Sequence, residues 1–333
     1  MPPSASNILD FEKPIAELEA EIEDIKRLTA EQGVDRSEEI AILEQHRDRL
    51  MEQIFSRLTP WDKTLLARHP RRPYTLDYVR LLFDDYTELH GDRLFTDDKA
   101  MIGGLGTFDG RQVMFVGQQK GRDLKERQFR NFGSAKPEGY RKALRLMKLA
   151  EKFGRPIIAF VDTPAADCSV GAESRGISEA IARNLMEMSA LKVPIIIAIL
   201  GEGGSGGALG IGVGNSVLML EYAIYSVIPP EGCAAILWRD PAKAPEAAAA
   251  LRITAEDALR LGVIDEVVPE PLGGAHRNPD LTARTLKTAI LRNLDELCSM
   301  TGDELAAQRY QKFRAMGQFL TMPELAEIDA AAG

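Results

Sequence analysis

The sequence has 333 residues, of which 45% are hydrophobic, and its formal net charge is −9 at pH 7. This composition predicts a globular chain with one large core or two smaller ones, and it argues against a general binder of nucleic acids or membrane surfaces. Three cysteines without a Cys-x-x-Cys pair and four scattered histidines indicate no disulfide framework and no metal site, and the lack of a signal peptide or of a run of roughly 18 apolar residues predicts a cytoplasmic protein.

The first 60 residues predict a helical hairpin. Apolar residues recur with helical spacing between Ile15 and Leu28, and again between Ile40 and Leu58 after the break at Gly33. This periodicity is typical of two amphipathic helices, and their direct succession gives them coiled-coil character. We expect the hairpin to serve association, by packing either on the chain's own core or on another chain.

A connector and a β-hairpin are predicted next. Residues 61–73 are rich in basic residues and proline, and residues 75–89 predict a helix. Two strand-like runs, Met101–Phe108 and Arg111–Gln118, are joined by Asp109-Gly110, the strongest short signal of a β-hairpin. We therefore divide the chain into an N-terminal helical hairpin (1–60), a connector with a helix (61–100), a core (101–280) and a C-terminal helical segment (281–333).

Nine lysines and arginines but only three acidic residues lie between positions 120 and 145. Such a basic segment is most often a solvated helix face, and the alternative is a docking surface for a phosphorylated or acidic partner. Pro137 as a first-turn proline and Gly154 as a stop signal predict a helix between them.

From residue 155 the chain alternates between strands and helices. A buried strand at 155–161 precedes a loop at 162–171 and a helix at 172–191, and a second buried strand at 193–200 precedes a glycine-rich stretch. Two successive units of this kind place both loops at the same carboxyl edge of a parallel sheet, facing one pocket. The later segments predict strands at 216–220 and 223–228, a short helix at 231–239, a capped helix and a strand within 253–268, and helices from 281 to about 319.

The glycine-rich stretch 201–214 is the candidate site. Glycine removes the Cβ that would block close approach, so a ligand can reach backbone N–H groups at the start of the following helix, where the helix dipole favours an anion. One chemical interpretation is an oxyanion hole, formed by N–H groups near Gly206 and Gly207. The alternative is a tight structural turn without a chemical role, and the residues by themselves favour neither.

The same stretch also fits a dinucleotide-binding fingerprint. Gly201, Gly203 and Gly206 match G-x-G-x-x-G, and Glu221 stands where an acidic residue would contact a ribose. However, glycines at 210, 212 and 214 interrupt the helix that a Rossmann unit requires, so a dinucleotide-binding oxidoreductase is a remote alternative. No Gly-Lys-Ser/Thr sequence follows, which excludes a P-loop.

Separated motifs along nearly the whole chain carry a resemblance to a known family. They are DFEKPIAELE at 10–19, ARHP at 67–70, RPYTLDYVR at 72–80, RNFG at 130–133, PEGYRKALR at 137–145, GGSGG at 203–207, PEGC at 230–233, and the stretches 254–268 and 271–279. With these motifs the sequence resembles the alpha subunit of the bacterial acetyl-CoA carboxylase carboxyltransferase. So many separated matches make the resemblance specific.

The resemblance implies an α/β fold of the ClpP/crotonase type, a superhelix of ββα units, with the N-terminal helical hairpin and the helical C-terminal tail added. It implies transfer of a carboxyl group from carboxybiotin, carried on the biotin carboxyl carrier protein, to acetyl-CoA, which gives malonyl-CoA for fatty acid synthesis. The implied partners are a carboxyltransferase beta subunit, in an α2β2 assembly, and biotin carboxylase. Zinc is implied only in the beta subunit, and no metal is implied in this chain.

The resemblance also implies roles for residues of the candidate site. Gly206 and Gly207 match the N–H donors of the alpha-side oxyanion hole, which stabilise the negative ureido oxygen of biotin. The residues expected on the carboxybiotin side are Gly203, Gly204, Ser205, Thr163, Pro164 and Ala165. A stand-alone hydratase of the same fold would need catalytic glutamates, and the sequence places none.

The loop at 162–169 departs from the family pattern. The family has Asp-Thr-Pro-Gly-Ala-Tyr-Pro-Gly where this chain has Asp-Thr-Pro-Ala-Ala-Asp-Cys-Ser, and the departures are Ala165, Asp167, Cys168, Ser169, Ser174, Ile177 and, in place of a histidine, Gln118. We expect alanine at 165 to strain a positive φ, and Asp167 to add negative charge near a carboxylate donor. A non-catalytic scaffold or regulatory paralogue is therefore the alternative function.

Overall fold

The computed structural model describes residues 8–33 and 35–317. Its helices are α1 (Lys13–Gln32), α2 (Ser37–Phe55), α3 (Pro60–Ala67), α4 (Thr75–Leu82), α5 (Leu124–Phe129), α6 (Pro137–Lys152), α7 (Val170–Ser174), α8 (Ile177–Ala190), α9 (Ser205–Leu209), α10 (Pro230–Trp238), α11 (Ala244–Leu251), α12 (Ala255–Arg260), α13 (Pro279–Leu297) and α14 (Gly302–Arg314). Its strands are β1 (Asp85–Glu88), β2 (Met101–Phe108), β3 (Arg111–Gln118), β4 (Ile157–Thr163), β5 (Ile195–Gly204), β6 (Ser216–Leu220), β7 (Ile224–Ser226) and β8 (Glu266–Val268). Within these described ranges, every helix is too short or too polar to span a membrane.

One sheet of eight strands organises the molecule. Its order is β1-β2-β3-β4-β5-β6-β8, and β7 pairs with the end of β5. The first three strands are antiparallel, whereas the pairs from β3 to β8 are parallel. The two central strands β4 and β5 are buried along almost their whole length. Continuous apolar runs are typical of parallel strands that are covered on both faces, which is why the sequence shows no alternation there.

The opening β-hairpin is confirmed. Residues Met101 and Gln118 face each other at its open end, and Phe108 faces Arg111 beside the turn. Asp109 and Gly110 have φ values of 51° and 74°, as a type I′ turn requires. The helix after Pro137 is also confirmed, because α6 begins at that proline and ends before Gly154, whose φ is 59°.

The N-terminal helical hairpin is confirmed as well, and its base is attached to the core. Phe55 of α2 is buried and lies 5.9 Å from the Tyr222 ring, centroid to centroid. Glu12 accepts a 3.1 Å hydrogen bond from His276, and Arg277 donates to Glu19 at 2.7 Å. Farther from the core, the apolar residues of α2 are only half-buried, as at positions 40 and 43. The division of the chain into four segments stays a prediction.

The predicted helix at 75–89 is wrong in its second half. α4 ends at Leu82, and residues 85–88 form β1, which pairs with β2. Phe83 leaves the helix with an extended backbone because its ring packs on Phe108 and Phe115, at centroid distances of 5.3 and 5.5 Å. Tertiary packing here overrides the local helical pattern. The predicted connector at 61–73 also contains a helix, because α3 occupies its first half. This helix begins with a capping box of Thr59 and Asp62.

Three further boundaries differ from the predictions. The helix expected at 172–191 is divided into α7 and α8, because Gly176 adopts a left-handed conformation with φ 79°. β5 continues to Gly204 instead of ending at residue 200, because β7 pairs with residues 202–204. The tail consists of two helices, with Thr301 as the N-cap of the second, and its predicted end beyond residue 317 lies outside the described residues.

Candidate active site

The loops after β4 and β5 lie side by side at the carboxyl edge of the sheet, as predicted. Thr163 at the end of β4 pairs with Gly203 near the end of β5. A narrow crevice runs along this edge, with Pro164, Gly203 and Gly204 among its lining residues. The structure therefore brings together the residues expected on the carboxybiotin side at 163–165 and at 203–205.

Most glycines of the candidate site are explained by packing. A Cβ on Gly204 would lie 2.0 Å from the carbonyl oxygen of Pro164, and one on Gly207 would lie 2.6 Å from backbone atoms of Ala165 and Ala166. A Cβ on Gly210 would lie 2.4 Å from the Tyr140 ring. Gly206 differs, because its Cβ would meet only Ile181, at an ordinary 3.5 Å. The structural interpretation therefore explains the neighbours of Gly206 but not Gly206 itself.

The helix that follows the strand is very short and begins under strain. α9 has five residues, and Ser205 at its first position has a φ of 51°. A positive φ on a residue with a side chain is uncommon and costly, and it persists only where the surrounding structure holds it. The first N–H groups of any helix have no carbonyl partner four residues back, so the N–H groups of Gly206 and Gly207 lack a partner within the helix. The turn can thus offer two adjacent donors to an anion.

The dinucleotide alternative does not fit this geometry. Gly201 and Gly203 lie within β5, where a fingerprint would need a turn between strand and helix. A Cβ on Gly201 would lie 2.7 Å from the Asp162 carboxylate, so this glycine makes room for a side chain of the protein. The helix behind it is also too short for a Rossmann unit.

A buried amide, which the sequence analysis noted only as a departure from the family pattern, holds the turn in place. Gln118 is fully buried, and its side-chain nitrogen donates to the carbonyl oxygen of Gly207 at 3.0 Å. Its side-chain oxygen accepts from the backbone N–H of Asp162 at 3.1 Å. The Tyr140 hydroxyl donates to the same Gly207 carbonyl at 3.2 Å, and burial raises the pKa of Tyr140, so the hydroxyl keeps its proton.

A bulge in β5 is stabilised by side chains from two other segments. The ladder passes from Val161↔Ile199 to Thr163↔Gly203, so β5 carries two extra residues there. Arg72 donates to the buried Leu200 carbonyl at 2.8 Å, and Asp162 accepts from the Glu202 N–H at 3.0 Å. Backbone groups freed by the bulge are therefore satisfied.

Four charged side chains form a network directly below the glycine turn. Lys120 lies 2.8 Å from both Asp162 and Glu202, and Arg68 donates to Glu202 at 2.7 Å. Burial would lower the pKa of Lys120, but the two carboxylates raise it well above its ordinary value. Burial would likewise raise the pKa of Glu202, and Lys120 and Arg68 hold it below its ordinary value. The two cations and the two carboxylates of this network therefore compensate one another's charge.

The altered loop at 162–169 carries no strain at position 165. Ala165 has no positive φ, so the expectation of a strained alanine is wrong. Its carbonyl accepts from the Thr163 hydroxyl at 2.8 Å. Asp167 accepts from the Asn131 amide at 3.2 Å and from the Ser169 N–H at 2.8 Å, so its charge is bound locally. The backbone at position 165 is compatible with an L residue, which explains why an alanine can stand where the family has glycine.

The basic segment 120–145 is largely used inside the molecule. Seven of its nine cations bind described carboxylates or carbonyls, namely Lys120, Arg122, Arg127, Arg130, Arg141, Lys142 and Arg145. Lys142, for example, is buried and lies 2.6 Å from Asp97. Most of these cations are therefore held by contacts within the chain instead of forming a freely solvated helix face, and the use of the segment as a docking surface stays a prediction.

One group of residues in the described ranges has the composition of a metal site. Ligand atoms of Glu12, His69 and His276, all buried, lie within 4.8 Å of one another. However, the Arg277 guanidinium lies 3.4 Å from the Glu12 carboxylate, where it supplies the positive charge. The His69 and His276 rings stack at 3.9 Å between centroids. The arrangement acts as the attachment of the N-terminal helical hairpin.

Comparison with known proteins agrees with this architecture. Residues 8–317 match the family described as acetyl co-enzyme A carboxylase carboxyltransferase-like. The chain is similar to the acetyl-coenzyme A carboxylase carboxyl transferase subunit alpha of Bordetella avium (strain 197N), with 56% identity over 94% of this chain and 98% of that protein. It is also 56% identical to the subunit of the same name from Acaryochloris marina (strain MBIC 11017), over 95% of this chain and 97% of that protein.

Solved structures show the fold. The Pseudomonas malonate decarboxylase MdcD-MdcE hetero-dimer covers 72% of this chain and 95% of its own matched chain, with a TM-score of 0.56 and 18% identity. Transcarboxylase 12S covers 67% of this chain and 41% of its own, with a TM-score of 0.54 and 20% identity. At these identities the likeness concerns the fold alone, and it confirms the predicted α/β fold of the crotonase type.

Proposed function

The chain belongs to the family of acetyl-CoA carboxylase carboxyltransferase alpha subunits, as its resemblance implied, and we propose that it supplies the carboxybiotin side of the transfer reaction. The substrates in this proposal are acetyl-CoA and carboxybiotin on the biotin carboxyl carrier protein. The bond between the biotin nitrogen and the carboxyl carbon breaks, a new bond forms to the methyl carbon of acetyl-CoA, and the proton of that methyl group passes to the biotin nitrogen. The products are malonyl-CoA and biotin.

The observation that carries the proposal is the geometry of Gly206. Its neighbours Gly204 and Gly207 are glycines because backbone lies against them, but an alanine would fit at 206. A glycine that the fold does not require is expected where a ligand approaches the backbone. The N–H groups of Gly206 and Gly207 would then donate to the ureido oxygen, on which negative charge develops as the carboxyl group leaves. One donor of this kind contributes on the order of a 100- to 1,000-fold increase in kcat.

The surrounding charges support a backbone site. Lys120, Asp162 and Glu202 are bound to one another below the turn, which leaves them unsuited to exchange protons with a substrate. They fix the strand ends that carry the N–H donors, and fixed dipoles stabilise charge without reorganising during the reaction. A protein base is not required if the biotin nitrogen accepts the proton.

The second half of the site belongs to a partner in this proposal. Transfer passes through negative charge on the ureido oxygen and on the thioester oxygen, and a second oxyanion hole is needed for the latter. We propose that a beta subunit supplies it, with its own zinc, in an α2β2 assembly that works with biotin carboxylase in the cytoplasm. The reaction would serve fatty acid synthesis.

The test compares two glycine-to-alanine variants in the complex with the beta subunit. Gly206→Ala should lower kcat by about 100-fold, because a displaced substrate loses its aligned geometry, and should leave the melting temperature unchanged. Gly232→Ala in α10 is the matched control, because its Cβ would lie 3.4 Å from Ile228, also an ordinary contact. Normal turnover of Gly206→Ala would contradict the proposed oxyanion hole.

The scaffold alternative is tested in the same assay. Malonyl-CoA formation is measured with this chain alone, with the beta subunit alone and with both together. We expect activity only in the mixture. If the two subunits form a complex and the mixture stays inactive, this chain is a scaffold and not a catalytic subunit.

A further inference from the structure

We propose that Gln118 is a positioning residue for the carboxyl-transfer site, in which its side-chain amide sets the distance between the end of β4 and the turn that begins α9. This inference rests on the proposed function, because it concerns the same pair of N–H donors. Gln118 touches neither substrate and acts through the backbone on both sides of it.

The first observation is the place of Gln118 in the sheet. β3 pairs with β4 up to Gly117↔Phe160, and Gln118 is the last residue of β3. Beyond this pair the Gln118 side chain replaces the backbone as the hydrogen-bond partner of β4, since its amide oxygen accepts from the Asp162 N–H at 3.1 Å. An amide carries one acceptor and two donors in the plane of a peptide group, so it continues the ladder for one more step.

The second observation is the opposite end of the same amide. Its nitrogen donates to the Gly207 carbonyl at 3.0 Å, so a single rigid group joins β4 to α9. Gly207 also lies against Ala165 and Ala166, with no space for a Cβ. The hydrogen bond from the amide and this close contact therefore both hold the turn against the loop.

The third observation is that Gln118 is the shared element of two otherwise separate contacts. The Tyr140 hydroxyl donates to the Gly207 carbonyl at 3.2 Å but makes no hydrogen bond to Asp162. Removal of the Tyr140 hydroxyl should loosen only the turn, whereas removal of the Gln118 amide should loosen both the turn and the loop. This difference separates a bridge from a residue that only fills the core.

The chemical nature of the bridge has a consequence for pH. A carboxamide does not titrate, so both contacts persist across the pH range in which the fold is stable. A neutral imidazole can also donate at one nitrogen and accept at the other, but a protonated imidazole has no acceptor for the Asp162 N–H. A histidine at this position would therefore make the positions of the N–H donors depend on pH.

The experiment uses the complex with the beta subunit and three variants. Gln118→Met, which has a similar length and no amide, should lower kcat by about 30-fold at every pH, because a buried donor and a buried acceptor lose their partner. The KM for acetyl-CoA should change by less than about twofold, since the thioester lies on the partner's side. Tyr140→Phe should lower kcat by only about threefold, because Gln118 still holds the carbonyl.

Gln118→His provides the readout that a structural role would not change. At pH 8 it should recover most of the turnover that Gln118→Met loses. Its kcat should then fall below pH about 6.5, the ordinary pKa of histidine, or at a lower pH if burial lowers that pKa. The wild type should lack this acid limb. A Gln118→His profile parallel to that of the wild type would overturn the proposal.

Hydrogen exchange supplies a measurement that is independent of activity. Gln118→Met should speed exchange in both 162–166 and 204–210, and Tyr140→Phe in 204–210 alone. Faster exchange in only one segment of Gln118→Met would overturn the bridge. If Gly206→Ala keeps normal turnover while Gln118→Met loosens both segments, the oxyanion hole is wrong and the bridge is supported.

Discussion

The glycine turn and the N-terminal helical hairpin are attached to the same core in opposite ways. The turn is enclosed by backbone, by a buried amide and by a network of charges, so every displacement breaks several contacts at once. The hairpin is attached at its base through Phe55 and the contact of Glu12 with His276, and its outer part packs mainly helix on helix. The comparison indicates that the glycine turn is held more tightly than the outer part of the N-terminal helical hairpin.

The largest expected effect is at Gly207. Gly207→Ala should lower kcat by at least about 100-fold, because its Cβ would overlap the backbone of residues 165 and 166 and push both N–H donors away from the loop. Unlike Gly206→Ala, it should also lower the melting temperature. Steady-state kinetics and differential scanning calorimetry of the two variants would check this, and equal stability of the two would contradict the packing argument.

The charge network should be the largest contributor to stability near the site. Lys120→Met leaves Asp162 and Glu202 without their shared cation, and the loss of one partner of a buried pair costs about 3–5 kcal/mol. Lys125→Met is the matched control, since this lysine is exposed on the same segment. Urea unfolding of both variants is the measurement. A change below about 1 kcal/mol for Lys120→Met would show that the network is dispensable.

The hairpin attachment should weaken as the pH falls. Burial lowers the pKa of His276, and the nearby cations Arg277 and Arg72 lower it further, although Glu12 opposes them. The detached state therefore takes up a proton from about pH 6.5 downward while the attached state resists it, and stability is lost as the pH decreases. Burial would raise the pKa of Glu12, but His276 and Arg277 hold it below its ordinary 4.5, so a second loss follows below that pH.

Protection factors of the α1 amides between pH 7.5 and 4, which correct for the intrinsic pH dependence of hydrogen exchange, would check this loss. Glu12→Gln should raise exchange in α1 at pH 7.5 and reduce its dependence on pH below 5, with turnover within about twofold of the wild type, because the glycine turn has separate contacts. A pH-independent α1 in the wild type would contradict the role of the Glu12–His276 contact.

The smallest effect is expected from restoring the family loop. The variant Ala165→Gly, Asp167→Tyr, Cys168→Pro, Ser169→Gly should change kcat by less than about threefold, because Ala165 is unstrained and the Asp167 carboxylate is hydrogen-bonded within the loop. The comparison is made in the complex with the beta subunit. If only the restored loop turns over, the natural chain is a scaffold after all.

The fold was largely predictable because its signals are local. Asp109-Gly110, Pro137 and the run at 195–200 each determine an element through backbone geometry or continuous burial. The predicted element boundaries are wrong where a contact between residues distant in the sequence determines the end of a helix or strand. Phe83 ends α4 because of rings in β2 and β3, and β5 extends because β7 pairs with it.

The candidate site was predictable only in outline. A glycine run indicates close approach, but the residues that come close, such as Pro164 at Gly204, are about 40 positions away in the chain. Gln118 was noted as a departure from the family and Lys120 as part of a basic segment, but their partners become visible only once β3, β4 and β5 lie together. The resemblance implied the donors Gly206 and Gly207, and the structure shows that packing requires a glycine at 207 but not at 206.

The shared partners of Lys120 have a consequence for how this family can vary. Because Lys120, Asp162, Glu202 and Arg68 neutralise one another in a buried space, a replacement at one position leaves a charge uncompensated until another position changes too. Substitutions there should therefore appear in concert across relatives, as a linked set of lysine, arginine and carboxylates gained or lost together. The exposed neighbour Lys125 should vary independently, and the contrast between the two positions can be counted in any large collection of related sequences.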